Sequence, residues 1–246
     1  TGLISLGSAV RIRPSLPTKS EYMKLKYQFL IKRFFYYFYG EKFFKRLKYD
    51  WSKYPSRITI IQKIIDIKKF ENYLEIGCDQ DENFSQIKIK NKTGIDPKSG
   101  GTLRMTSDNF FKNNLSKFDV IFLDGLHTYE QTIKDIKNSI NAINQDGIIL
   151  VHDCLPKKIW NQIVPRLYGH WNGDVWKAIV EARTYEDVDT YTCIADHGLG
   201  IIFKRKNTNI LKIKNNDFKK LKYAEYFKKH NEFMNLISYE TLIKKI

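Results

Sequence analysis

Apolar residues change their spacing along this chain, and each change predicts a different element. Between residues 21 and 49, Leu25, Phe29, Leu30, Phe34 and Phe38 recur at helical intervals. That pattern predicts one or two basic, aromatic-rich helices, with Gly40 placed to end the first. Ser56 is an N-cap residue type ahead of Ile60, Ile61, Ile64, Ile65 and Ile67, so a helix is expected from about Arg57 to Lys69. Beyond it, short apolar runs bounded by Gly and Asp alternate with helical patterns, which marks βαβ units around a parallel sheet. Strands are predicted at Tyr73–Ile76, Thr93–Ile95, Thr102–Met105, Val120–Leu123, Ile148–Val151, Thr190–Ile194 and Gly200–Lys204. Helices are predicted at Glu82–Ile87, Thr128–Asn144 and Asp174–Arg183, with two more basic, amphipathic helices over residues 217–245. The last two strands are joined only by Ala195 to Leu199, too short a link for a crossover helix, so they must form an antiparallel hairpin at the sheet edge.

The expected architecture is α/β: a doubly wound, mostly parallel seven-stranded sheet with an antiparallel last strand, flanked by N- and C-terminal helices. The central domain is drawn over residues 56–205. Residues 20–55 form a basic aromatic extension, which suits a lid, a dimer contact or an interfacial helix, with plain packing the simplest role. Residues 206–246 form a basic C-terminal extension. Residues 1–19 lack periodicity and read either as a disordered basic tail or, from the string GSAVRIRPSLP, as translated tRNA-gene sequence ahead of the true start.

At 246 residues and 42% hydrophobic content the chain is large enough for one such domain with appendages. It has no apolar run of transmembrane length and no signal-peptide pattern. Its three cysteines, Cys78, Cys154 and Cys193, are scattered without metal-type spacing, which reads as a reduced, cytoplasmic protein. The net charge of +15 suggests an anionic partner, but its distribution changes that picture. Residues 1–70 hold 16 Lys and Arg against 4 Asp and Glu, residues 205–246 hold 11 against 4, and residues 71–204 between them hold 15 against 19. The central domain is slightly acidic, and the basic flanks suit a solvated surface, an anionic polymer or peripheral contact with a membrane.

The chemistry-bearing residues gather at predicted strand ends, where open α/β sheets bind ligands. The first strand runs into YLEIGCDQDENF, in which Gly77 permits a sharp turn and Glu75 offers a carboxylate to a cationic group. No further glycines complete a dinucleotide fingerprint. The second ends in TGIDP, and Asp96 stands about 20 residues after the glycine turn, where an acid meets ribose hydroxyls. The fourth ends in DVIFLDGLHTYEQ and the fifth in GIILVHDC, which puts Asp124, His127, His152 and Asp153 at neighbouring tips about 5 Å apart. Asp124 and Asp153 form a pair suited to a hard divalent ion, and His127 or His152 to a general base.

Taken together, YLEIG, TGIDP, RMTSDNFF, FDVIFLDGLHTYEQ, LVHDC and WNGDVWKAIVEAR resemble the class I methyltransferases, in the branch allied to catechol and caffeoyl-CoA O-methyltransferases. The resemblance spans about residues 56–205. It implies S-adenosylmethionine (SAM) as methyl donor, with Glu75 and Gly77 near its methionine part, Asp96 on the ribose and Ser107 or Asp108 near the adenine, beside Asp124. In metal-dependent relatives, acids at the positions of Asp124 and Asp153 hold Mg²⁺. The next relative position, an Asn, is Cys154 here, a soft ligand poorly suited to Mg²⁺. The relatives' catalytic lysine falls at His127. Asp79 and Asp81 replace glycines of many relatives. The implied function is O-methylation of a small-molecule or sugar/glycan hydroxyl, metal-assisted or not, with His127, His152 and Asp124 catalytic. His170, Trp171 and Trp176 are candidates for an acceptor wall, and core packing is the alternative for Trp176. Two further readings stay open: a nucleic-acid methyltransferase using the basic flanks, and an inactive binding module of the same fold.

Overall fold

The computed structural model describes residues 46–246 apart from 167, 168 and 215, together with Tyr27, Leu30, Ile31, Phe34 and Phe35, which are helical. Residues 1–19, and most of the extension expected over 20–55 up to residue 45, lie outside the described residues. Seven strands form one sheet: β1 Asn72–Ile76, β2 Asn91–Ile95, β3 Phe118–Leu123, β4 Ile143–Val151, β5 Asp189–Cys193, β6 Leu199–Phe203 and β7 Leu236–Ile237. Their spatial order is β2-β1-β3-β4-β6-β5-β7. The strands β2, β1, β3 and β4 pair in parallel, β6 runs against both β4 and β5, and β7 is parallel to β5. Six strands thus share one direction and β6 alone opposes them, as the short Ala195–Leu199 link requires. The hairpin is interior rather than at the edge, because β6 inserts beside β4 and β7 covers β5.

Among residues 46–246 that are described, six helices flank the sheet: α1 Arg57–Lys68, α2 Ser107–Asn113, α3 Tyr129–Ala142, α4 Val175–Ala182, α5 Tyr223–Met234 and α6 Tyr239–Lys245. Ser56 caps α1 by accepting from the Thr59 amide at 3.4 Å. Alternate strand residues divide between two cores, as period-two geometry demands. Leu74, Ile76, Ile121, Leu123, Ile149 and Val151 pack with α3, α4 and α5. Tyr73, Val120, Phe122, Ile148 and Leu150 pack with the isoleucines of α1 and with Leu242 of α6. Trp176, fully buried, lies 4.8 Å from Tyr226 of α5 and is a core residue, not an acceptor wall.

Two expected elements are replaced. The strand expected at Thr102–Met105 is a single bridge from Leu103 to Ile95. Gly100 and Gly101 both take positive φ, and the amides of Thr102 and Leu103 both donate to the Gly94 carbonyl, so the chain folds back before a ladder forms. The helix expected at Glu82–Ile87 is a series of turns. Lys92 Nζ takes the carbonyls of Phe84 and Ile87, at 2.8 and 3.2 Å, which caps so short a segment before it propagates. The seventh strand comes instead from β7 in the C-terminal segment. The short helix α2, capped by Thr106, has the Thr and Asp signature of a helix start but falls within a block expected to be extended at its beginning.

Asp119 ties the entry edges of β1, β3 and β4 together. Its carboxylate accepts from the amides of Glu71 and Asn72 and from the side chains of Asn72 and Asn144, at 2.7–3.0 Å. Burial opposes its ionisation, but these donors outweigh burial and hold its pKa below the ordinary carboxylate value. We expect Asp119→Ala to destabilise the fold by about 2 kcal/mol in urea melts near neutral pH. A depressed acid contributes stability above its unfolded pKa and loses it as pH falls through the folded one, so the deficit should shrink on acidification below about pH 4. A deficit unchanged by pH would refute the ionic role.

Candidate active site

The exit ends of β1, β2 and β3 surround a cleft of about 640 Å³. Its geometry begins with a close approach. The Asp124 amide donates to the Ile76 carbonyl at 2.8 Å, and a Cβ on Gly77 would meet the Asp124 carbonyl at 2.2 Å. Gly77 also has φ +90°, so glycine is required there twice over. Asp96 reaches the same cleft from the end of β2, accepting from the amides of Lys98, Ser99 and Asp79 at 2.7, 3.0 and 3.1 Å. Burial raises its pKa, and these amides with Arg104 overcome that, keeping it ionised. Asp79 and Asp81 adopt φ +46° and +62°. Asp tolerates this left-handed region better than most side chains, so the loop keeps the glycine-like path. Asp81 also pins Gly101 through a 2.6 Å bond to its amide.

The far wall of the cleft carries Ser107 and Asp108 from α2 and Gln131 and Asp135 from α3. Gln131 Nε2 donates to all three of the others, at 3.0–3.2 Å. Burial, only partly offset by hydrogen bonds from Ser107 and Gln131, pushes the Asp135 carboxyl up to about 6. Glu75 opens instead into a smaller recess of about 200 Å³ shared with Arg57, Gly77, Asp124 and His127. Its carboxyl accepts from Tyr73 at 2.6 Å and Asn83 at 2.7 Å, and burial raises its pKa to about 7.

Asp124, His127, His152 and Asp153 do converge. One oxygen of Asp124 lies 3.2 Å from His127 Nε2 and 3.2 Å from His152 Nδ1. His127 Nδ1 faces Asp153 Oδ2 and the Trp171 carbonyl, each at 3.3 Å. His152 Nε2 faces Asp196 Oδ1 at 3.4 Å, and Asp196 in turn accepts from the Arg57 amide at 2.6 Å. Every ring nitrogen of the two imidazoles meets an acceptor. Burial disfavours their charge, but Asp124 and Asp153 reverse that for both, aided at His152 by Asp196, and raise both pKa values. Burial likewise opposes ionisation of Asp124, and the two histidines hold its carboxyl far below the usual range.

The acids expected to form a bare oxygen pair therefore have imidazoles beside them. Asp124, His152 and Asp153 present ligand atoms within 4.8 Å of one another, as do Asp153, His170 and His197. Cys154 is not among them: its buried Sγ donates to the Val151 carbonyl at 3.1 Å. All three cysteines are free and buried.

Several site residues carried no sequence signal. Asp196 and His197 come from the tight β5–β6 turn, with φ +36° and +63°. The WNGD segment also has a positioning role: Asp174 accepts from the Tyr129 amide at 2.7 Å, and a Cβ on Gly173 would strike the His127 carbonyl. Trp171 stacks on His127 with centroids 5.4 Å apart. His170 lines a second cavity of about 420 Å³ on the other side of the cluster, with His197, Trp51 and Trp160.

Residues 67–154 match the family model of a methyltransferase domain. The doubly wound sheet, with a cleft at the exit ends of its strands, has the Rossmann-like fold of class I methyltransferases, and the matched span runs from the end of α1 to just past the tip of β4. No curated protein matches it in sequence. Three solved structures are distant likenesses. A candidate caffeoyl-CoA O-methyltransferase from Staphylococcus aureus is 15% identical, with 74% of this chain and 99% of that one covered at a TM-score of 0.48. A SAH-bound methyltransferase from Podospora anserina is 16% identical over 80% and 100%, at 0.45. A Streptomyces achromogenes O-methyltransferase involved in tomaymycin synthesis, in complex with SAM, is 9% identical over 61% and 79%, at 0.44. Among the described residues no helix is long and apolar enough to cross a membrane.

Substituting Gly77 tests the approach on which the cleft depends. Gly77→Ala should destabilise the fold by roughly 2–4 kcal/mol, because the added methyl meets backbone that cannot move aside. A denaturation midpoint equal to the parent's would show that the two strand tips are free to separate.

Proposed function

We propose that the chain is a SAM-dependent O-methyltransferase acting on a small-molecule or sugar hydroxyl. One observation carries this reading: Gly77, Asp96, Ser107, Asp108 and Asp124, from separate elements, line a single cleft. Its volume lies in the range of small-molecule sites. Its lining holds Asp79, Asp96, Asp108, Asp124 and Asp135 against Lys98 and Arg166, a balance suited to a cationic donor. When bound, SAM supplies an electrophilic methyl group on its sulfonium. Asp96 would take the ribose hydroxyls, Ser107 and Asp108 the adenine end, and Gly77 would admit the methionine end, with Glu75 beneath it.

The remaining task falls to the residues around Asp124: to align the acceptor, exclude water and receive its proton. His127 is the candidate base: its neutral imidazole would take the hydroxyl proton, and Asp124 and Asp153, which face its two ring nitrogens, would hold the imidazolium that results. His152 keeps Asp124 oriented and ionised. Asp124, Asp153 and His152 would also hold a divalent ion, and their mixed oxygen and nitrogen donors suit a first-row transition ion better than Mg²⁺. Such an ion supplies Lewis acidity toward the acceptor oxygen. A reduced, cytoplasmic setting suits the three free, buried thiols.

Calorimetry with S-adenosylhomocysteine (SAH) tests the donor site: binding is expected, Asp96→Ala should weaken it by about 1–3 kcal/mol, and no binding by the parent would refute the reading. Methyl-labelled SAM with candidate acceptors tests the chemistry. His127→Ala should lower turnover about a hundredfold while SAH affinity stays near the parent's. Equal loss of both would remove His127 from the proton-transfer role.

A further inference from the structure

The two cavities on either side of the Asp124 cluster differ in charge. The donor cleft is rich in carboxylates. The second cavity is lined by Arg46, Lys157 and Lys158 and by no acidic residue. Among the described residues, none of these three cations makes an ion pair with a carboxylate. Lys157 and Lys158 rest instead on indoles, with Nζ 4.1 Å from the ring centroid of Trp51 and 5.1 Å from that of Trp160. A cation–π contact is a weak substitute for a counter-ion. Burial and the neighbouring Arg46 both disfavour the Lys157 charge, and Asp50 compensates only in part.

The cavity also borders the Asp124 cluster through two histidines. His197 forms part of its wall, its ring centroid 6.1 Å from that of His152. His170, also in the wall, stacks on His197 at 4.1 Å and places Nε2 3.8 Å from Asp153. A ligand there lies next to the Asp153 side of the cluster, while the donor cleft meets it from the Asp124 side. Asn161 and Asn172 supply amides to the same wall.

We propose that this second cavity is the acceptor site and that its substrate class is an anionic sugar, a ring carrying a phosphate or carboxylate. The proposal rests on the methyl-transfer reading of the neighbouring cleft and narrows its acceptor. The indoles offer flat apolar surface to the C–H face of a sugar ring, and the asparagine amides suit its hydroxyls. The two lysines and Arg46 gain the charge-assisted hydrogen bonds they otherwise lack. The partition of charge also separates the two substrates, since a cationic donor is disfavoured in the basic cavity and an anionic acceptor in the acidic cleft.

Tryptophan fluorescence of the full chain reads this site, because Trp51 and Trp160 line it. Titrations use a hexose monophosphate, glucuronate and neutral methyl glucoside, with and without SAH. At least one anionic sugar should bind about tenfold or more tighter than methyl glucoside, a ratio worth roughly one charge-assisted hydrogen bond. The tighter of the two anions identifies the substituent. The double variant K157Q/K158Q should lose this preference while its SAH affinity by calorimetry is retained. Arg46→Gln, at an exposed position, provides the same test should the double variant misfold. Equal binding of methyl glucoside, no binding of either anion, or tighter binding of a hexauridylate than of any sugar would overturn the proposal. Failure of SAH to bind would remove the donor reading, yet the sugar titrations without SAH would still decide the acceptor class.

Discussion

Burying a carboxylate is costly unless charge and hydrogen bonds meet it on the spot, and the exit edge of this sheet is organised around that requirement at Asp124. Two imidazoles converge on one of its oxygens. Each is held from its other side, His127 by Asp153 and the Trp171 carbonyl, His152 by Asp196. Asp196 is secured in turn by the backbone and guanidinium of Arg57, at the start of α1. The network therefore joins the tips of β3 and β4, the β5–β6 turn, the segment before α4 and the first turn of α1. Removing any one partner leaves a buried charge exposed to the penalty the others were offsetting, so the arrangement is a scaffold as much as a set of reactive groups.

The same network separates two cavities of opposite character that lie close together. Between an acidic cleft and a basic cavity there is a wall of alternating carboxylates and imidazoles. Fixed dipoles and charges of this kind need no rearrangement when substrates arrive, which is the condition under which an enzyme site outperforms water. The neighbouring glycines serve the same end. Gly77 and Gly173 have no side chain because the backbone of Asp124 and His127 occupies the space one would fill.

Much of this was legible in the sequence, because regular elements leave periodic traces. The central strands are apolar runs that pack on both faces, and Ser56 announces α1 through its cap. The strand-end motifs placed Gly77, Asp96, Asp124, His127, His152 and Asp153 together, since a parallel sheet sends all its exit ends to one edge. What could not be read depends on contacts remote in sequence. Lys92 drawing off the carbonyls of Phe84 and Ile87 suppresses a helix that periodicity alone favours. The Gly94 carbonyl, receiving two amides, cuts short a strand. Asp196 and His197 sit in a turn with no motif, and only the antiparallel return of β6 brings them to His152. The basic cavity joins Arg46 and Trp51 to Lys157 and Trp160, more than a hundred residues on, and no local pattern marks that meeting.

The two-residue β7 has a consequence beyond its size. A sheet ending at β5 would present unpaired amides and carbonyls along an otherwise well-formed strand, a template on which a second chain can dock. Leu236 and Ile237 occupy that place, and α5 and α6 on either side anchor them to opposite faces of the sheet. The C-terminal segment thus acts as a selvedge at the exit end of β5, pairing with Thr192 and Cys193 and shortening the open border that remains.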